Sequence, residues 1–335
     1  CDSQIIITRD HADGRARYNA PMPIWTAEAA GRLDAFLAKV QPDVSRVKAG
    51  ARIRDGQVLL NGRIVRKPAH RVKLGDRVEC SEQEEPASES HIAPVSQHLT
   101  ILYEDAACMV IDKPAGLSVH PAPSMAQGTE TLLNGIAFLF KKKRLPFHAA
   151  HILVHRLDRE TTGCLLIAKT PQAHAALQKQ FKTRTVRKTY LAIVAGVPKH
   201  AEATIDAPIG RNLTDRTRMS VLKTGVSREA QTSYRTLDHA DTAALLACDL
   251  HTGRTHQIRV HLAAIGHPIL GDPTYHSPVS EKLSGEKKIK HLCLHAWKFA
   301  FTSPADGKKH AVSAPLPGFW KSSLRNLSLR PTPSS

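Results

Sequence analysis

The chain has no run of about 18 apolar residues, the length a helix needs to cross a bilayer, so a helical membrane span is not expected. Where a secretory signal would be apolar, the stretch from Cys1 to Ala20 carries Asp2, Arg9, Asp10 and Asp13, and a cytoplasmic location is the expectation. Six cysteines, at 1, 80, 108, 164, 248 and 293, lie far apart without a C-x-x-C pair, which speaks against a disulfide framework and for reduced, structural thiols. No repeat occurs at solenoid spacing. Acidic residues are the scarce charge: 30 Asp and Glu face 47 Lys and Arg in 335 residues, a net charge of +17. With 41% apolar and 23% charged residues the chain is not an acidic disordered one, and its length allows about two domains. A cation excess of this size favours a polyanionic partner, because each Lys or Arg set beside a phosphate releases condensed counterions. Nucleic acid leads and an anionic membrane surface follows.

Residues 1–21 show no sustained period and read as an N-terminal extension. From Ala27 the pattern becomes regular, with Leu33, Phe36 and Leu37 spaced for one helical face. A second helix is expected from Ser45, where Asp43 and Ser45 offer caps, to Arg54, before Asp55-Gly56 stops it. Asn61-Gly62 between Val58-Leu59-Leu60 and Ile64-Val65 predicts a type I′ hairpin, and Lys73-Leu74-Gly75-Asp76 a further turn. Residues 22–80 hold 12 Lys and Arg against 6 Asp and Glu, with Arg46, Lys48, Arg52 and Arg54 on one helix. A small RNA-gripping module follows from that concentration, although charge runs commonly do no more than solvate a surface. Residues 81–98, with four Glu and neither Lys nor Arg, read as a linker. Beyond them Leu102, Met109-Val110-Ile111, Cys164 to Ile167, Tyr190 to Val194 and Ala243 to Leu250 read as strands with helices between several of them. The expectation is one α+β domain over 99–320 and a frayed tail over 321–335.

The segment most suited to chemistry is His155-Arg156-Leu157-Asp158-Arg159-Glu160-Thr161-Thr162-Gly163, a dense polar loop set against the apolar strand from Cys164 to Ala168. Asp158 stands beside two arginines, an arrangement that favours a charged carboxylate able to act as nucleophile or base. Residue types alone leave a second reading open, in which Asp158 only ties down its loop through backbone amides. Near the other end, Ile258, Leu262 and Ile265 form an i, i+4, i+7 stripe on a helix ended by Gly266, with Arg259 on its flank. Arg254, just before that helix, is a candidate for a phosphate.

The pattern H-R-L-D-x-x-T-[ST]-G resembles the signature of the RluA family of pseudouridine synthases. Leu102 to Asp105, Val110 to Pro121, Lys188 to Ala192, Thr252 to His261 and Gly266 to Asp272 match further blocks of that family in order. Arg32-Leu33-Asp34, the helix beginning at Ser45-Arg46 and Val58 to Gly62 resemble an S-four-like RNA-binding domain. Together the resemblance spans roughly residues 25 to 320 and implies a mixed, mainly antiparallel sheet in the catalytic domain, preceded by a small α/β RNA-binding module. It implies isomerisation of specific uridines, in which uracil leaves its ribose and rejoins through ring carbon five, with neither metal nor cofactor. By the same resemblance Asp158 is the catalytic carboxylate, meeting either the sugar or the base. Arg259 with Ile258 supports it, Tyr190 lies against the base, and Arg156 fills the gap left by the extruded nucleotide. RNA is the implied partner, with large-subunit ribosomal RNA first and transfer RNA as the alternative; a monomer is expected.

Three departures from the family pattern stand out: Thr162 in place of Ser, the basic run Lys141 to Arg144, and His276 after Tyr275 in place of Gly. Two rivals remain at this level. His291, Cys293 and His295 could offer metal ligands from one strand face, but a fourth ligand and any H-E-x-x-H are lacking. A non-catalytic RNA-binding or assembly protein could keep the fold, but it would have no need of Asp158, Tyr190 and Arg259 together.

Overall fold

A computed structural model of the chain describes residues 23–330 apart from 42–43, 45, 81–91, 122–124, 127, 216–217 and 223–226. The N-terminal extension, the caps at Asp43 and Ser45, most of the expected linker, Cys1 and residues 331–335 lie outside the described residues. Two compact units divide the chain, residues 1–89 and 90–335.

The first unit runs β1 (Ile24–Thr26), β2 (Gly31–Arg32), α1 (Leu33–Val40), α2 (Arg46–Arg54), β3 (Val58–Leu60), β4 (Arg63–Ile64), β5 (Arg71–Val72) and β6 (Arg77–Cys80). Its four-stranded sheet has the order β1-β6-β3-β4. Leu33 and Leu37 of α1 and Ala49 and Ile53 of α2 pack with Val58 and Val78 in one small core, the face that the helical spacing anticipated. Asn61 and Gly62 both adopt positive φ, 50° and 77°, which is what a tight hairpin turn between right-twisted strands requires. The Asn61 side chain also spans to the next turn, its amide donating to Asp76 Oδ1 at 2.9 Å and its carbonyl accepting from Arg77 N at 2.8 Å.

In the second unit β7 (Thr100–Glu104) and β8 (Cys108–Lys113) are followed by α3 (Leu132–Lys142), β9 (Thr162–Ala168), α4 (Pro171–Lys182), β10 (Arg187–Ala195) and β11 (Glu202–Asp206). After these come β12 (Ile209–Arg211), β13 (Met219–Val221), β14 (Gln231–Ala240), β15 (Ala243–Leu250), α5 (Gln257–Ala264), α6 (Pro278–Glu286), β16 (Leu294–Thr302), β17 (Lys309–Ser313) and α7 (Gly318–Asn326). The large sheet has the order β11-β14-β15-β10-β16-β9-β8-β7, with β17 added on β16. The fold is α+β with a mixed, mainly antiparallel sheet: β9 against β16 is parallel, and the other ladders of this sheet are antiparallel. β9 is buried at every position and β10 from Tyr190 onward, so these two strands carry continuous apolar runs in place of alternation.

Several details differ from what the sequence pattern predicts. Residues 92–98 form no helix or strand but run against α3, where Val95 N donates to Asn134 O and Asn134 Nδ2 to Ala93 O. The expected tail from residue 321 begins later, because α7 is amphipathic and Leu324, Leu327 and Leu329 complete the main core. Ile265 is 37% exposed, since α5 ends at Ala264 and Ile265 is its C-cap, turned off the buried stripe. Lys143 of the basic run pairs with Glu104 at 2.8 Å. The five described cysteines are buried and no disulfide joins them. Among the described residues no helix is long and apolar enough to cross a membrane.

Candidate active site

The H-R-L-D loop is pinned from several sides before its carboxylate meets anything. His155 packs with the Phe181 and Phe299 rings in one aromatic cluster, at centroid distances of 5.0 and 5.1 Å, and its Nε2 accepts from Leu166 N at 2.9 Å. Burial pushes this imidazole down to about 3, so it serves as a neutral acceptor for β9 and not as an acid or base. Leu157 enters the main core. Lys113, at the end of β8 and wholly buried, donates through Nζ to Arg159 O at 2.8 Å and Pro114 O at 2.6 Å. Its burial lowers the ammonium to about 8, against the raising influence of Glu160 and Asp158. Thr161 N closes the turn on Asp158 O at 3.2 Å, leaving the Asp158 side chain 19% exposed.

The cation facing that carboxylate comes from 101 positions further on. Arg156 and Arg159, the sequence neighbours, turn elsewhere: Arg156 Nη1 lies 3.5 Å from His120 Nε2, and Arg159 pairs with Glu160 at 3.5 Å. Arg259 on α5 donates from Nη1 to Asp158 Oδ2 at 3.2 Å while its other edge grips Asp272, Nε to Oδ2 at 2.8 Å and Nη2 to Oδ1 at 2.7 Å. Only 5% of Arg259 is exposed, so from the flank of the stripe it acts as a buried strut. Asp272 is fixed in turn by the amides of Thr274 and Tyr275, and burial, which by itself would raise its carboxyl, is outweighed by Arg259 so that it stays low. A planar fork held along one edge can point its remaining nitrogen in only one direction, here at Asp158.

His256 adds a second contact. It caps α5 in a left-handed conformation, φ 56°, which is uncommon for a residue with a Cβ. Its Nδ1 lies 2.8 Å from the Tyr275 hydroxyl and its Nε2 3.9 Å from Asp158 Oδ1. Burial lowers the imidazole while the Asp158 charge works the other way. The loop ahead of α5 is knit by buried Gln257, whose Oε1 accepts from Thr252 Oγ1 and Arg254 N and whose Nε2 donates to Gln231 O and Thr232 Oγ1.

His155, Leu157, Asp158, His256 and Gln257 border a cleft of about 1150 Å³ that also receives Tyr190, Arg156, Ile258 and Arg254. Tyr190 projects from β10; burial first and the Asp158 charge second push its phenol upward, so it is present as a neutral hydroxyl. Arg254 Nε donates to Glu229 O at 3.0 Å. Thr161 lines the cleft as well, and its hydroxyl is enclosed without a hydrogen-bond partner among the described residues.

Of the residues expected from the sequence, Asp158, Tyr190, Arg156, Ile258 and Arg254 thus share one cleft, with Arg259 behind it. Arg46, Lys48 and Arg52 belong to the other compact unit: Arg46 pairs with Asp34 at 3.3 Å, Arg52 donates to Gln41 Oε1 at 3.1 Å, and Lys48 is exposed. Asp272, Lys113, His256 and Gln257 occur in the quoted motifs but received no role, because nothing local marks a side chain whose partner is remote. The residues of the metal reading are otherwise engaged. β16 begins only at Leu294, His291 sits against the Phe319 ring, and His295 uses both nitrogens, on Thr162 Oγ1 at 2.8 Å and Ala314 O at 3.3 Å. Thr162 therefore employs the same hydroxyl that Ser would supply. His276 lies 3.6 Å from Glu281, away from Asp158.

Comparison with known proteins bears on this site directly. A family profile described as RNA pseudouridylate synthase matches residues 107–264, and one described as S4 domain matches residues 31–78. A ribosomal large subunit pseudouridine synthase D of Xanthomonas campestris pv. campestris is 40% identical over 297 residues, covering 86% of this chain and 87% of its own. An uncharacterized RNA pseudouridine synthase of Bacillus subtilis is 37% identical over 88% of this chain and 94% of its own length. Among solved structures, human RNA pseudouridylate synthase domain containing 4 superposes with a TM-score of 0.56 at 30% identity, covering 69% of this chain and 93% of that one.

Proposed function

Because the chain belongs to the RNA pseudouridine synthases and carries an S4 domain ahead of the synthase fold, we propose that it isomerises specific uridines of large-subunit ribosomal RNA through Asp158. The observation that carries this reading is Asp158, which lines the cleft with Tyr190 and is held from behind by Arg259 at 3.2 Å. In the isomerisation the N1–C1′ bond breaks, a C5–C1′ bond forms, and the C5 proton leaves for solvent as N1 gains one. No electrons change hands and no water is added, so the chain's task is to orient the freed base and keep bulk water out. A glycosidase would need a second carboxylate to activate water. Here the other acid lining the cleft, Asp249, accepts a hydrogen bond from Thr189 Oγ1.

Asp158 meets the target nucleoside, Arg259 holds the carboxylate's orientation from behind, and the neutral Tyr190 phenol offers a ring face and a hydroxyl to the pyrimidine. Extrusion of a uridine costs a few kcal/mol, and Arg156, exposed beside His120, can occupy the vacated stack. Large-subunit ribosomal RNA is the substrate favoured by the printed names of relatives such as the Xanthomonas protein. The test uses ribosomal RNA tritiated at carbon five of uridine. Release of label to water by the unaltered protein and its loss in Asp158→Asn are expected; retention of label in ribosomal and transfer RNA alike would leave an RNA-binding protein without the reaction.

A further inference from the structure

We propose that Lys188 is the docking point for a backbone phosphate flanking the extruded uridine, an inference that rests on the isomerase reading of the same cleft. Lys188 stands two residues before Tyr190 on β10, and both line the cleft. At a rise of about 3.3 Å per residue the two positions are separated by about 6.6 Å, a span that suits a ribose between a base on Tyr190 and its phosphate on Lys188.

The surroundings of Lys188 are those of a cation waiting for an anion. Two carboxylates line the cleft and each is engaged, Asp158 with Arg259 and Asp249 with Thr189. Lys188 is half-buried, and its ammonium lies 5.7 Å from the centre of the Phe181 ring, a contact that replaces only part of an ion pair. The nearby His155 is neutral. Burial lowers the Lys188 ammonium with no acid offsetting it, a penalty that a phosphate would relieve. A Cβ placed on Gly253 would lie 3.9 Å from Lys188 Nζ, so the ammonium sits beside a loop residue that has no side chain to cover it. Lys182, Arg184 and Arg187 continue the basic lining outward from Lys188, and these outer cations can follow the strand on either side of the anchored phosphate.

The experiment compares the unaltered protein with Lys188→Gln and Lys188→Arg on whichever tritiated RNA shows release. Lys188→Gln is expected to raise KM about tenfold with kcat nearly unchanged and to flatten the slope of log K against log salt by about 0.7, the share of one phosphate on a single strand. Lys188→Arg keeps the charge and restores both. An RNA with a methylphosphonate at one of the two linkages flanking the target uridine should impose the same loss on the unaltered protein and no further loss on Lys188→Gln. The proposal is overturned if Lys188→Gln lowers kcat at constant KM and slope, or if the methylphosphonate at both linkages penalises the two proteins equally. Absence of label release with the unaltered protein would remove the isomerase reading and this proposal with it, so the two failures are distinct.

Discussion

A carboxylate is useful in a cleft only if something decides where it points, and here that is settled by a buried guanidinium held by a second acid. Arg259 and Asp272 share two hydrogen bonds at 2.7 and 2.8 Å with little exposure, and removing one partner of such a pair leaves an unbalanced buried charge. Asp272→Asn preserves shape but turns an amide toward the guanidinium. The expected result is a kcat lower by about 100-fold with KM changed little, since Arg259 would no longer be aimed and a misplacement of about 1 Å carries that penalty. Equal loss in kcat and in RNA affinity would indicate general disruption instead. Asp158 is singled out in the sequence because the polar loop abutting an apolar strand also resembles a family signature; its residue type alone leaves the role open. Asp272 is not, because its importance arises from an arginine 13 residues away that only the turn after α5 brings within reach.

Elements set the cleft by approaching one another where a side chain would not fit. β9 and β16 pair in parallel through Thr162 with His295 and Gly163 with Ala296. Gly163 has φ 105°, and a Cβ there would overlap the Ala296 carbonyl oxygen. Gly163→Ala is therefore expected to destabilise the protein by about 3 kcal/mol or more, read as a lower urea midpoint at constant m. An unchanged midpoint would contradict the tight approach. In the first unit α1 and α2 are joined by Asp34, which takes Arg32 at 2.8 Å and Arg46 at 3.3 Å. Arg32 and then Arg46 hold the Asp34 carboxyl at about 2, below its ordinary 3.8. A depressed carboxyl contributes stability that is complete above the unfolded value and disappears as pH falls through the folded one. The difference in urea midpoint between the unaltered protein and Asp34→Asn, followed by Trp25 fluorescence, should be open above pH about 4 and close on approach to about 2. A constant difference across that range would assign Asp34 a role independent of its charge. The helices and hairpin of this unit were legible from spacing and from Asn61-Gly62. The approach of Gly163 to β16 was not, because its partner strand lies about 130 residues later in the chain.

On the scale of the whole chain, 47 basic residues against 30 acidic ones make affinity for RNA a function of ionic strength. Between about 50 and 200 mM salt, binding of ribosomal RNA should weaken by at least about 100-fold, with log K linear in log salt. Fluorescence anisotropy against labelled RNA measures it. Affinity insensitive to salt would mean that base or shape contacts dominate and that the positive charge serves solubility.

Composition and short motifs determined the broad outcome. A cation excess selects polyanions, apolar runs of strand length select a sheet, and the resemblance of the H-R-L-D loop to a family signature marks the place for Asp158. Those signals are local or additive, so one strand of text carries them. The tertiary structure decided which cation serves that carboxylate, which acid fixes the cation, and which lysine faces the cleft without an acid. Each is a meeting of residues distant in the chain, set by strand order and helix placement, and such meetings leave no mark in local periodicity.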